Sequence, residues 1–190
     1  EELKFIIKTI EYQNTLMNMD EAYYEEKINV EKCGVININF KGFIDKLLKR
    51  DNSVVIIDYK TYMVDINLNY LPYGLSMQLP VYLYLVNEEL KDVSFAGFYL
   101  QKLINKDNKD LKLEGYSNSN VHILSMFDKS YENSNLVKGL KVKQDGSFYK
   151  SSKVLNDNEI NKIIELTNES INNSIKNIED AKFSINPKKS

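Results

Sequence analysis

The chain has 190 residues, with 25 basic and 27 acidic side chains that leave a formal net charge of -2. This length suits one domain with a buried core, and the charge argues against a globally basic nucleic-acid binder, although local charge can still contact phosphates. Cys33 is the only cysteine, which excludes a disulfide framework, and no apolar run reaches the length of a membrane span. We therefore expect a single cytoplasmic domain over residues 1–190, as a fragment of a longer protein because the chain does not begin with Met.

The first part of the chain is predicted to form a helix and two strands. Apolar residues recur at helical spacing over residues 1–19, and they alternate with polar residues over 22–32. After a turn at Cys33-Gly34, a second alternating stretch predicts a strand that ends with Asp45 on its polar face. Leu47 and Leu48 are then expected to lead into a turn.

A continuous run of β-branched residues, Val54–Ile57, predicts a central strand covered on both faces. Alternation places Asp58 and Lys60 on one face of its end and Tyr59 on the other. If this strand neighbours the one that carries Asp45, two carboxylates meet at one edge of the sheet, where they suit a hard cation such as Mg²⁺. The alternative is that both aspartates are strand-end or turn residues without a ligand.

A dense apolar stretch over residues 70–90 predicts a buried helix in which Gln78 and Tyr82, four residues apart, share one face. These two side chains could equally be the polar rim of a core helix. Pro80 requires either that the helix begins near Ser76, with the proline close to its first turn, or that the helix is kinked there.

The second half of the chain is predicted to contain further strands and a long helix. We expect a strand over 93–103, a turn over 105–109, a short edge strand over 111–115, and a helix over 159–178 that is capped by Asn156 or Asp157. The only histidine, His122, is read as a packed or surface residue. The basic stretch 138–153 reads first as a solvated loop, although its lysines could contact phosphates; the candidates are Lys141, Lys143 and Lys150.

Three motifs in this order resemble a known family. They are Gly42-Phe43-Ile44-Asp45-Lys46, Ile57-Asp58-Tyr59-Lys60-Thr61 and Gln78-Leu79-Pro80-Val81-Tyr82. Together they resemble the RecB-family nuclease domain of the PD-(D/E)XK superfamily, most closely the C-terminal nuclease domain of AddB-type helicase-nuclease proteins. The stretch 139–155, the helix after it and the ending 183–187 also look like that domain. The resemblance implies an α/β fold of restriction-endonuclease type, with a mixed sheet of about four or five strands flanked by helices.

The resemblance also implies roles for the residues singled out above. Asp45 and Asp58 would bind Mg²⁺ or Mn²⁺ with the main-chain carbonyl of Tyr59, and Lys60 would orient the attacking water and stabilise charge on the phosphate. Gln78 and Tyr82 would position the DNA strand or the nucleophile. An acidic residue from an earlier helix often joins such sites, and either Glu25 or Glu26 is the candidate.

The resemblance further implies a metal-dependent DNA exonuclease in double-strand-break repair, with DNA and an AddA-like helicase-nuclease subunit as partners. The alternatives are a nuclease-fold module that binds DNA or a partner without cleaving, and a stand-alone RecB-like exonuclease. Two features depart from the family pattern. No histidine precedes the motifs, and AddB-type domains carry an iron-sulfur cluster on four cysteines, which a stretch with Cys33 alone cannot form although a longer polypeptide could.

Overall fold

A six-stranded mixed sheet with helices on both faces organises the chain in the computed structural model, which describes residues 2–32, 37–61, 66–103 and 111–182. The elements in chain order are α1 (Glu2–Leu16), β1 (Glu21–Lys32), β2 (Ile38–Arg50), β3 (Ser53–Lys60), a short 3₁₀ helix (Leu68–Tyr73), α2 (Gln78–Leu90), β4 (Ser94–Lys102), β5 (Glu114–Asn118), α3 (Val121–Phe127), β6 (Val154–Leu155) and α4 (Asp157–Glu179). None of these helices is long and apolar enough to cross a bilayer.

The strands lie in the sheet in the order in which they occur in the chain. β3 and β4 are parallel and are joined by α2, as expected for a crossover connection, and β5 pairs with β6 in parallel as well. The other neighbours are antiparallel. The predicted α/β fold is confirmed, and the described residues form six strands rather than four or five because the two-residue β6 adds an edge.

The run Val54–Ile57 forms the centre of the sheet, as predicted, and its residues are at most 1% exposed. Val54 and Ile56 pack into a core with α2 and α4, whereas Val55 and Ile57 pack into a second core with α3. Because both faces are covered, the run has no polar alternation. The charged side chains of β3 lie where the strand leaves the core, at Asp58 and Lys60.

The prediction that Asp45 ends its strand is wrong, because β2 continues to Arg50 and Asp45 lies in its middle. The sequence pattern was misleading because the regular alternation of side chains between the two faces of β2 is interrupted between Ile44 and Leu47. Ile44 and Leu47 both belong to the core beside α2, whereas Leu48 belongs to the opposite core. This part of β2 is covered on both faces, so the two adjacent leucines are both buried. From the local sequence alone they were interpreted as leading into a turn.

α2 begins at Gln78, so Pro80 lies in the first turn, where a missing N–H costs no helical hydrogen bond. The first of the two predicted explanations for Pro80 therefore holds. The helix packs closely on β2 at Gly42, where an added Cβ would lie 2.5 Å from Cδ1 of Leu85 and 3.7 Å from Cε1 of Tyr82. Only glycine fits this approach without a shift of its neighbours.

The second half of the chain differs from the prediction in two places. The strand expected over 111–115 is β5, which begins and ends later in the chain, and it is not an edge because β6 pairs with its outer side. The lone histidine lies in α3, which the sequence did not predict. The cap of α4 is confirmed, because Asn156 forms a capping box with Glu159. The turns expected at 33–34 and 105–109 and the ending 183–187 lie outside the described residues.

Candidate active site

The end of β3 carries an aspartate and a lysine in direct contact. The carboxylate of Asp58 is 1% exposed, and its Oδ2 lies 2.5 Å from Nζ of Lys60, as an ion pair rather than a well-directed hydrogen bond. The two residues share one face of the strand, while Tyr59 packs on the opposite core. The predicted alternation is therefore what the structure shows.

The amide of Gln78, the first residue of α2, joins this pair to the helix. Its Nε2 donates to Oδ1 of Asp58 at 2.8 Å and to the hydroxyl of Tyr82 at 3.1 Å, and its Oε1 accepts from Nζ of Lys60 at 2.8 Å. An amide has two donor hydrogens and one acceptor oxygen, so all of its capacity is directed at the site. Reversing the amide would set its oxygen against the carboxylate, and the orientation is therefore fixed by charge.

Asp45 reaches the same place from β2. The ladder between β2 and β3 ends at the pair Lys46–Ile57, and beyond it Oδ2 of Asp45 accepts a hydrogen bond of 2.7 Å from the backbone N–H of Tyr59. The side chain thus takes the place of a backbone partner where the two strands separate. In a strand the N–H and C=O of one residue point to the same side, so the carbonyl of Tyr59 also faces Asp45.

The burial of this cluster shifts two of its pKa values. Burial raises the pKa of Asp58, the ammonium of Lys60 opposes this shift, and the nearby carboxylate of Asp45 adds to it. Burial likewise raises the pKa of Tyr82. A buried carboxylate whose pKa is raised by a second carboxylate, next to one ammonium, forms a site that favours additional positive charge.

Comparison with known proteins agrees with this geometry. The sequence profile of the PD-(D/E)XK nuclease superfamily matches residues 4–190. The chain belongs to this superfamily. The resemblance that the three motifs predicted is therefore confirmed, and the sheet with its flanking helices is consistent with the restriction-endonuclease-like fold of the superfamily.

Several relatives are named as a subunit of an ATP-dependent helicase/deoxyribonuclease. The protein from Staphylococcus saprophyticus is 31% identical over 186 residues, covering 81% of this chain and 16% of the relative. The proteins from Clostridium novyi and Clostridium tetani are each 30% identical, covering 70% and 67% of this chain and 14% and 13% of the relatives. The chain thus spans about one sixth or less of the length of these relatives.

Nucleases of the PD-(D/E)XK superfamily generally use divalent metal ions such as Mg²⁺. The donors at this site fit such an ion, because carboxylates and main-chain carbonyls are the hard oxygen ligands that Mg²⁺ prefers. Asp45 accepts a hydrogen bond from the N–H of Tyr59, and its carboxylate lies near enough to Asp58 to raise the pKa of Asp58. The electrostatic cost of the paired carboxylates gives an independent reason for a cation there.

The further acidic ligand predicted from the sequence, Glu25 or Glu26, is not gathered with the two aspartates. Both glutamates lie in β1 rather than in a helix, and Glu25 has a left-handed φ of 52° where the register sets it opposite Asp45. Among the described residues, no three acidic, histidine or cysteine side chains form a group able to hold a metal ion. The role of either glutamate as a ligand stays a prediction.

The three lysines predicted to contact nucleic acid lie in a hairpin just before β6. The hairpin is closed by isolated bridges, including Val142–Phe148, and the ammonium of Lys143 lies 5.9 Å from the ring centre of Tyr149. β6 is three strands away from β3 in the sheet. The structure therefore does not bring Lys141, Lys143 or Lys150 together with the aspartates, and their contact with DNA stays a prediction.

Sequence reasoning missed a buried lysine beside the site. Lys46 is 2% exposed, and its Nζ bonds Oδ1 of Asn14 in α1 at 3.0 Å and lies 5.7 Å from the ring centre of Tyr24. Burial lowers the pKa of this lysine. No local pattern could reveal its partners, because Asn14 lies 32 residues earlier in α1 and Tyr24 lies in β1.

Proposed function

We propose that this chain is a metal-dependent deoxyribonuclease domain that hydrolyses phosphodiester bonds in DNA. The observation that carries the proposal is the position of Gln78, which bonds Asp58, Lys60 and Tyr82 at once. A binding module has no chemical need for a buried carboxylate, an ammonium and an amide fixed between them. A nuclease needs all three to hold a cation, a phosphate and a water in a fixed arrangement.

In this mechanism Asp45, Asp58 and the carbonyl of Tyr59 would hold the divalent ion. When bound, Mg²⁺ or Mn²⁺ supplies a Lewis acid that polarises the phosphate and lowers the pKa of water. A water oxygen bonds to phosphorus as the water gives up one proton, one phosphorus–oxygen ester bond breaks, and the departing oxygen takes up one proton, so that one water is consumed. The ammonium of Lys60 orients the water and stabilises the charge that develops on the phosphate oxygens.

Gln78 and Tyr82 act on position. Gln78 holds the ammonium of Lys60 and the carboxylate of Asp58 by hydrogen bonds from one amide, so neither side chain has to reorganise as charge develops. The hydroxyl of Tyr82 lies one helical turn further along the same face and lines the entry to the cluster. Its raised pKa keeps it protonated at neutral pH, and it can donate a hydrogen bond to DNA.

We further propose that the domain is an exonuclease in double-strand-break repair and recombination that works with a helicase-nuclease partner. The names of its relatives, which describe a subunit of an ATP-dependent helicase/deoxyribonuclease, support this context. A helicase feeds a single strand to an adjacent nuclease, so single-stranded DNA is the proposed substrate.

The test is cleavage of end-labelled single- and double-stranded DNA with Mg²⁺ or Mn²⁺. Wild type is expected to release short products, whereas Asp58→Ala is expected to lose at least about 10³-fold in rate, because it removes a ligand and a buried charge. Lys162→Ala, which removes an exposed lysine paired with Glu165 on α4, is the control and should cleave as wild type does. Equal cleavage by wild type and Asp58→Ala would refute the assignment, and DNA binding without cleavage by wild type would favour the inactive module.

A further inference from the structure

β4 brings a second lysine to the edge of the sheet beside the site. In the parallel ladder between β3 and β4, Lys102 is the partner of Lys60. The backbone pairing holds to this point, because the N–H of Leu103 donates to the carbonyl of Lys60 at 2.8 Å. Neighbouring strands lie about 4.8 Å apart, so the backbones of the two lysines are fixed next to each other.

The side chains of these two lysines lie on the same face of the sheet. Leu100, two residues before Lys102, belongs to the core beside α2 and is the ladder partner of Asp58. Because side chains two residues apart in a strand share a face, Lys102 lies on the face of Leu100, and Lys60 lies on the face of Asp58. Lys102 is therefore turned to the side of α2, as Asp58 and Lys60 are.

The two lysines differ in their partners. The ammonium of Lys60 lies 2.5 Å from Oδ2 of Asp58 and donates to Oε1 of Gln78 at 2.8 Å. Lys102 is half-buried, and among the described residues no carboxylate forms an ion pair with it. Like charges at neighbouring positions on one face destabilise a sheet. An anion bound beside Lys102 would offset this repulsion.

The start of α2 adds positive potential at the same place. Gln78, which bonds Lys60, is the first residue of this helix, and no acidic residue lies in its first turn. Met77 precedes it and makes no side-chain hydrogen bond that caps the helix. The N-terminal end of a helix carries partial positive charge, which favours an anion nearby. Both β4 and α2 thus favour negative charge on this side of the site.

Charge is arranged in opposite ways on the two sides of β3. β2 lies on one side and brings the carboxylate of Asp45, whereas β4 lies on the other and brings the ammonium of Lys102. The ammonium of Lys60 opposes the raised pKa of Asp58, whereas that of Lys102 has no such effect. Lys102 thus lies beside the pair of carboxylates rather than between them, on the opposite side of β3 from Asp45.

We propose that Lys102 binds the phosphate next to the scissile phosphate, in a DNA strand that crosses the edge of the sheet from β2 to β4. Each nucleotide brings one phosphate charge, about 3.4 Å from the next in a stacked strand. A phosphate that reacts at Asp58 and Lys60 therefore has its neighbour within reach of the adjacent strand of the sheet. The ammonium of Lys102 donates a charge-assisted hydrogen bond to that neighbour. The inference rests on the proposed function, because DNA is the proposed substrate.

The first test is the kinetics of cleavage of a labelled oligothymidylate with Mn²⁺. Lys102→Met is expected to raise KM roughly tenfold, because it removes one charge-assisted hydrogen bond to the strand. This contact is made before and during the reaction, so most of its loss appears in KM, whereas Lys60→Met lowers kcat. Lys102→Arg should retain the wild-type KM. Lys162→Met, which removes an exposed lysine on α4, is the control and should match wild type. Circular dichroism melting verifies that each variant is folded.

The second test removes the charge from the DNA instead of the protein. The phosphate that wild type cleaves first is mapped, and an uncharged methylphosphonate then replaces the phosphate on either side of it in turn. One of the two replacements should raise the KM of wild type roughly tenfold and should cause no further increase for Lys102→Met. If Lys102 serves the fold alone, the replacement weakens both proteins equally.

The inference and the proposed function can fail separately. If Lys102→Met has the wild-type KM, or if the methylphosphonate weakens both proteins equally, the role of Lys102 is overturned while cleavage by wild type still supports the nuclease. If wild type does not cleave, the nuclease is refuted, and binding of a fluorescein-labelled strand in EDTA decides on Lys102. Lys102→Met should then reduce the slope of log affinity against log salt by about 0.7. An unchanged slope, or no binding by wild type, would overturn the inference.

Discussion

Two buried aspartates of this protein differ in what surrounds them. Asp58 and Asp128 are 1% and 0% exposed. Asp128 ends α3 and accepts hydrogen bonds from close neighbours in the chain: the N–H and Oγ of Ser130, at 2.8 and 2.7 Å, and the Oγ of Ser134. Asp58 contacts the ammonium of Lys60 and the amide of Gln78, which comes from another element 20 residues away.

The difference shows that burial alone does not identify a reactive carboxylate. The partners of Asp128 are neutral donors two and six residues further along the chain, which is how an aspartate stabilises a loop. The partners of Asp58 include a full positive charge and a second carboxylate nearby, and their positions depend on the packing of α2. Asp128 thus stabilises a local loop, whereas the surroundings of Asp58 form only when α2 packs on the sheet.

The largest effect that distinguishes the surroundings of Asp58 from those of Asp128 is expected from Lys60→Met. Removing the ammonium should lower the rate of DNA cleavage by about 10³-fold, because the charge that develops on the phosphate loses its nearest donor. The carboxylates remain, so Mn²⁺ should still raise the melting temperature. The free energy of this stabilisation is about 2.7 kcal/mol when the ion is at 100 times its Kd. Steady-state cleavage and differential scanning fluorimetry measure the two quantities.

The matched control for this variant lies beside the other aspartate. Lys129, next to Asp128, is exposed and bonds the carbonyl of Thr15 at 3.1 Å, so Lys129→Met should cleave DNA at the wild-type rate. Wild-type cleavage by Lys60→Met would show that its ammonium takes no part in the reaction. The two aspartates would then differ less than proposed.

An intermediate effect is expected from Asp128→Ala, and on stability rather than on cleavage. The change leaves the hydroxyls of Ser130 and Ser134 without their acceptor in a buried place, which should lower the free energy of unfolding by about 2–3 kcal/mol. Urea unfolding followed by circular dichroism measures this loss. Cleavage per folded molecule should stay at the wild-type level. A variant that unfolds normally but no longer cleaves would place Asp128 in the chemistry.

The smallest effect is expected from Asp58→Asn in the absence of metal. The pKa of Asp58 is raised in the folded state, so its carboxylate costs stability above that pKa and the cost disappears as the pH falls towards the unfolded value of 3.8. Asp58→Asn should therefore melt a few degrees higher than wild type near pH 7 in EDTA, since roughly 1 kcal/mol moves the midpoint of such a domain by 2–4 °C.

The pH dependence provides the check on this last prediction. The advantage of Asp58→Asn should shrink as the pH is lowered from 7 towards the unfolded value of 3.8, because the wild-type carboxyl, whose pKa is raised by burial, takes up a proton over this range. Saturating Mg²⁺ should reverse the order, because the ion stabilises wild type alone. A lower melting temperature of the variant at every pH in EDTA would mean that Lys60 compensates fully for the burial of Asp58.

The sequence predicts the local part of this site well. Asp58 and Lys60 lie on one face because a strand alternates, and Gln78 and Tyr82 lie on one face because a helix repeats near four residues. Both regularities need only neighbours in the chain. The start of α2 at Gln78 also follows from a local constraint, since Pro80 is accommodated without loss only in a first turn.

The sequence does not predict the features that depend on packing between elements. The middle position of Asp45 in β2 follows from strands on both of its sides, which no local pattern records. Lys46 is buried because Asn14 and Tyr24 approach it from α1 and β1. The two-residue β6 forms because Val154 pairs with Ser117 at the edge of β5. Each of these depends on residues that are distant in the chain.

The absence of a side chain at Gly42 allows α2 to pack at the distance from β2 that the site requires. An added methyl group would clash with Leu85, which is fully buried. The clash would be relieved by a shift of α2 along the sheet or away from it. A helix rises about 1.5 Å per residue, and a shift of that size at Gln78 would break hydrogen bonds of 2.8 Å to both Asp58 and Lys60. The close approach at one glycine thus keeps the hydrogen bonds of Gln78 to two charged groups in place from two turns further along the same face of the helix.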